Sequence, residues 1–91
     1  MEPELIRFVE FLDRNRIRAT YKAVGEAAEV PVRSVGVRLG ERCPLASWVV
    51  NEATGEPTGY ADHQEHRELR SNPEIISSAE ELLRRMKREV R

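Results

Sequence analysis

Between Thr20 and Gly40 the chain prescribes two short helices with an enforced break between them. Thr20 is a residue type whose hydroxyl accepts from the N–H groups left over at a helix start. Val24, Ala27 and Ala28 follow it at helical spacing and form an inner face. Val30-Pro31 stops that run, because the residue before a proline is pushed out of the helical region and proline brings no N–H. Pro31 can open a third helix, in which Val32, Val35 and Leu39 share a face and which Gly40 can end. Two short helices about a tight break are the helix-turn-helix pattern. Gly25 is costly inside a helix and points to close packing.

The flanking segments extend this frame. Pro3 suits the first turn of a helix running to Arg14, with Leu5, Phe8, Val9 and Leu12 on one stripe. After Pro44 the period changes, and Trp48-Val49-Val50 reads as a strand. Residues 51–57 hold a turn sequence, and Thr58-Gly59-Tyr60 is expected to return as a second strand. The expected fold is therefore mainly α with a small β-hairpin, a winged helix-turn-helix, in a single domain over residues 1–91. Asp62 to Arg70 is expected to be helical up to the break at Asn72-Pro73. Ser78-Ala79-Glu80-Glu81 is a capping box for a last helix with Leu82, Leu83, Met86 and Val90 inward. Arg84, Arg85, Lys87, Arg88 and Arg91 gather near its end, where the helix dipole favours cations.

The stretch from Ile17 to Tyr60 resembles the DNA-binding half of the alkylguanine-DNA alkyltransferases and of their non-enzymatic relatives, the alkyltransferase-like proteins. Ala19-Thr20-Tyr21 matches the family's helix start, and Arg33-Ser34-Val35-Gly36 matches its Arg-Ala-Val-Gly recognition helix. Ala46-Ser47-Trp48-Val49-Val50 stands where the family has Cys-His-Arg-Val-Val, and Gly59-Tyr60 matches its Gly-Tyr turn. The resemblance implies a protein that enters the minor groove of double-stranded DNA and rotates an alkylated base out of the stack. By the same resemblance it would pass the lesion to nucleotide-excision-repair proteins.

Residue by residue, the resemblance implies that Arg33 fills the gap left by the rotated nucleotide. A planar, permanently charged guanidinium suits that position. Ser34 and Gly36 would allow close approach to the groove floor, with Arg38 beside them. Tyr21 would sit near the rotated nucleotide's phosphate. Ala46, Trp48 and Tyr60 would line the base pocket; alternation along a strand returns Trp48 to the face of Ala46. Each residue also has a structural alternative: a surface arginine, a helix-start contact, or packing beneath the wing.

Alkyl transfer needs a thiolate and a base to generate it. Ala46 and Ser47 occupy those positions, and the single thiol, Cys43, lies three residues earlier and is followed by Pro44. The chain is therefore expected not to be an enzyme and to need no cofactor. His63 and His66 are three apart but lack the further ligands of a recognisable metal set.

Composition tempers the DNA reading without removing it. The net charge over 91 residues is −1. Yet from Arg14 to Arg42 seven basic residues face three acidic ones, a local excess of four that can attract phosphates. The acidic surplus lies around 52–81 and opens a second reading, a protein-interaction or regulatory winged helix without lesion recognition. One cysteine, an acidic Met-Glu-Pro-Glu start and no long apolar run lead to the expectation of a cytoplasmic protein with no membrane partner.

Overall fold

The computed structural model describes residues 1–89. Helix α1, Pro3–Asn15, begins at the expected proline and buries Leu5, Phe8, Val9, Phe11 and Leu12. It ends at Arg16, whose φ of 54° is left-handed and turns the chain into a short strand, β1, Arg18–Thr20. Thr20 then caps α2, Tyr21–Ala28, its Oγ1 accepting from the Ala23 N–H at 3.0 Å. After Val30-Pro31 a single 3₁₀ turn, Val32–Ser34, runs into α3, Val35–Leu39, which Gly40 ends at φ +79°.

The close approach foreshadowed by Gly25 is present. A Cβ built there would lie 3.1 Å from Val32 Cα and 3.1 Å from Val35 Cγ2, so glycine lets α2 and the Val32–Val35 turn touch. Val35 and Leu39 are buried, but Val32 is not, because its 3₁₀ turn is out of phase with the α-helix that follows.

The expected antiparallel hairpin does not form. Trp48 belongs to a 3₁₀ turn, Leu45–Trp48, and the strand that follows, β2, is only Val49–Val50. β2 pairs in parallel with β1, Ala19 opposite Val49 and Thr20 opposite Val50. A third strand, β3, Ile75–Ile76, pairs in parallel with the other edge of β1, giving the order β2-β1-β3. The turn after β2 is real: the Asn51 N–H donates to the Glu56 carbonyl at 2.9 Å, and the Gly55 N–H to the Asn51 carbonyl at 2.7 Å. The return strand fails because Pro57 offers no N–H and Gly59 adopts φ +73°, outside extended backbone.

The expected helix over Asp62 to Arg70 is replaced by turns, with one 3₁₀ segment at Asp62–Gln64. Side chains take the backbone donors that a helix would need. The His66 N–H donates to Ser47 Oγ at 2.9 Å and the Glu68 N–H to His66 Nδ1 at 3.0 Å. Leu69 anchors the segment in the core.

Helix α4, Ala79–Glu89, starts where the capping sequence placed it, with Ser78 Oγ accepting from the Glu81 N–H at 3.2 Å. The Glu81 carboxylate is engaged by Arg84 and Arg85 on its own helix. Leu82 is buried and Met86 packs on the core, whereas Leu83, expected inward, is 42 % exposed. Val90 and Arg91 lie outside the described residues. No helix among the described residues is long and apolar enough to cross a membrane.

Candidate nucleic-acid interface

A cleft of about 610 Å³ opens between α2, α3 and the loop that follows β2. Tyr21 enters it from the first residue of α2, and Arg33 and Gly36 come from the 3₁₀ turn and α3. Tyr60 closes the opposite side, together with Asn51 at the end of β2 and Arg42. Four separated candidate residues, Tyr21, Arg33, Gly36 and Tyr60, thus line one cavity.

The loop across the cleft is stitched at Thr58. Its N–H donates to Tyr21 Oη at 3.4 Å, and its carbonyl accepts from Arg42 Nε at 3.4 Å. The Arg42 guanidinium then lies over the Tyr60 ring, 6.0 Å from the centroid. The guanidinium also lies against Gly59, where an added Cβ would come within 2.9 Å of Arg42 Nη2. Burial pushes the Tyr60 hydroxyl above the usual tyrosine range, against a backbone hydrogen bond at Cys43 and the Arg42 charge, so the phenol is neutral near pH 7.

Gly36 is unlike Gly25 and Gly59. A Cβ added at Gly36 would meet nothing within 4 Å. Its neighbour Val37 is 83 % exposed. Gly36 and Val37 thus leave an exposed, partly apolar surface on α3 at the cleft, with Arg33 just before it.

Other candidate residues lie elsewhere. Arg38 turns towards α1: its Nη1 contacts Glu2 Oε1 at 2.7 Å and Glu4 Oε2 at 3.1 Å, and its Nε donates to Ser34 Oγ at 2.9 Å. Ser34 in turn donates to the Pro31 carbonyl, so neither side chain reaches the cleft. Ala46 and Trp48 have no exposed surface and line the core, not the cleft. Trp48 packs on His66, with ring centroids 4.9 Å apart, and donates from Nε1 to Asp13 Oδ1 at 2.9 Å.

The structure also redistributes the basic stretch. Arg14 pairs with Glu89, Arg16 with Asp13 and Glu68, Arg18 with Glu56, and Arg38 with Glu2 and Glu4. All of these carboxylates lie outside the 14–42 segment, which is why its count overstated the field. Lys22, Arg33 and Arg42 stand in no ion pair among the described residues, and two of the three line the cleft. Sequence reasoning missed Arg42 and Asn51 as cleft residues. The signal for Arg42 was the glycine at 59, which reads as an ordinary turn until Arg42 is seen lying against it.

The polar cluster beneath Trp48 is not a catalytic triad. Asp13, His66 and Ser47 are neighbours, with His66 Nε2 3.6 Å from Asp13 Oδ1. However, Ser47 Oγ donates to the Pro44 carbonyl at 2.6 Å and meets the backbone of His66, not its ring. Ser47 is also fully buried. No group of three or more His, Cys, Asp or Glu side chains suited to a metal occurs among the described residues.

Comparison of the chain with protein-family models, with curated proteins and with solved structures finds no match.

Proposed function

We propose that this chain is a non-enzymatic DNA-binding protein of the alkyltransferase-like kind, which docks the outer face of α3 on duplex DNA and receives an alkylated guanine in the cleft. The observation that carries this reading is the convergence of Tyr21, Arg33, Gly36 and Tyr60 on one cavity of about 610 Å³, a size suited to a small planar ligand. The unpaired state of Arg33 among the described residues and the open surface at Gly36 support close approach to a groove. The base site of this proposal is framed by Tyr21, Asn51 and Tyr60; Ala46 and Trp48 have no part in it. Hand-over to nucleotide-excision-repair proteins follows from the resemblance and belongs to the same proposal.

A titration against plain and alkylguanine-containing duplexes at several salt concentrations tests it. Each neutralised phosphate contributes about 0.9 to the slope of log affinity against log salt, so contacts from Lys22 and Arg33 give roughly −2. A base-analogue fluorophore beside the lesion reports flipping. Arg33→Lys keeps the charge but not the stacking plane, so most plain-duplex affinity should survive while much of the fluorescence rise is lost. An equal rise in wild type and Arg33→Lys reduces Arg33 to an electrostatic contact. Absence of binding at low salt overturns the proposal.

One observation favours the second reading, a protein-interaction module. Four of the seven basic residues of the 14–42 segment are neutralised by carboxylates, which weakens the field available to phosphates.

A further inference from the structure

Arg42 stands in the cleft without a carboxylate partner among the described residues, although Glu41 lines the same cavity. Two contacts with the 58–60 loop place it there, its Nε bond to the Thr58 carbonyl and the Tyr60 ring beneath its guanidinium. Only Nε is engaged in that bond, which leaves donors on Nη1 and Nη2 for a ligand. A guanidinium presents two parallel N–H groups in the geometry a carboxylate accepts, and such charge-assisted bonds are stronger than neutral ones. Arg33 and Arg42 contribute two cations to the lining and Glu41 one anion, so the cavity itself is net positive.

We propose that Arg42 is a specificity residue of the cleft and that it favours a guanine whose alkyl group ends in a carboxylate over one with a neutral group of the same size. This rests on the reading of the cleft as a base site. Arg42 would bind the carboxylate through its Nη atoms while the base lies among Tyr21, Asn51 and Tyr60. Because Arg42 is exposed, solvent screens the contact and the preference is modest. An exposed contact of this kind corresponds to about two- to fivefold in affinity.

The test uses the full chain and short duplexes of one sequence. They carry plain guanine, guanine with a carboxymethyl group on its exocyclic oxygen, or the neutral carbamoylmethyl analogue. Wild type should bind the carboxymethyl duplex about two- to fivefold more tightly than the carbamoylmethyl one, despite its extra negative charge. Arg42→Gln should remove that ratio and leave the carbamoylmethyl-over-plain preference in place. Arg42→Lys should give an intermediate ratio, since it keeps the charge and loses the planar fork. Equal affinity for the two lesions, both above plain duplex, overturns the role of Arg42 and leaves the base site standing. Equal affinity for all three duplexes overturns both. A carboxymethyl preference that survives in Arg42→Gln assigns the selectivity to another group and also overturns the proposal.

Discussion

Arg18 and Arg33 carry the same guanidinium and meet opposite environments. Arg18 is 7 % exposed at the start of β1, and its Nη1 donates to the Gly55 carbonyl at 2.9 Å. Its Nη2 reaches the Asn72 carbonyl at 3.3 Å, so one side chain ties the loop after β2 to the approach to β3. Arg33 is exposed, lines the cleft and pairs with nothing among the described residues. The two aromatics that the resemblance implies for a common pocket divide in the same way. Trp48 is sealed under α1, whereas Tyr60 faces the cleft. Residue type therefore says little about whether an arginine or an aromatic builds the fold or meets a ligand. What decides is whether the chain supplies acceptors and packing for it.

The sharpest way to break this contrast is Trp48→Ala. It removes the largest fully buried side chain and leaves Asp13 without its indole donor. A loss of about 3–5 kcal/mol is expected by denaturant unfolding, enough to threaten folding of so small a domain. A loss below about 1 kcal/mol would mean that Trp48 is not a core residue in solution. Tyr60→Ala, on the cleft side, should cost much less stability and act mainly on binding.

Next in size is Arg18→Met, which keeps the aliphatic stem and leaves the Gly55 and Asn72 carbonyls without their donor. About 2 kcal/mol of stability should be lost, because buried acceptors stay unsatisfied. DNA affinity of the folded fraction should be almost unchanged. Arg33→Met should do the reverse, altering stability by no more than about 0.5 kcal/mol and weakening binding. If both substitutions lower stability equally, the division between bracing and cleft arginines fails.

A small change of opposite sign is expected from Gly36→Ala. Nothing lies within 4 Å of the new Cβ, and alanine favours the helix by about 0.5–1 kcal/mol. The melting temperature should rise slightly while affinity for duplex falls, since the methyl group stands on the face proposed to meet DNA. Higher stability with unchanged affinity would remove α3 from the interface. Gly25→Ala provides the contrast: its Cβ meets Val32 and Val35 at 3.1 Å, so stability should fall.

Much of the helical frame was legible from local chemistry. Pro3, the Thr20 cap, the Pro31 break, Gly40 and Ser78 each act on the backbone within a few residues, so their effects can be read without knowing the fold. Of the residues the resemblance named, Tyr21, Arg33, Gly36 and Tyr60 are brought to one cleft by the tertiary structure, whereas Ser34, Arg38, Ala46 and Trp48 lie outside it. Pairing partners were not legible. Arg-Ala-Thr at 18–20 carries no strand signature, yet it becomes the central strand because both of its edges are met by other segments, Val49–Val50 on one side and Ile75–Ile76 on the other. That choice turned the expected hairpin into a parallel sheet and put Trp48 in the core. Side chains of Ser47 and His66 similarly took the donors of 66 and 68 and prevented a helix there. Ion pairs that neutralise Arg14, Arg18 and Arg38 join residues 34 or more positions apart. Caps, breaks and stops are short-range and are written in the sequence. Strand partners, buried hydrogen bonds and long-range ion pairs depend on which distant segments meet, and only the tertiary structure decided those.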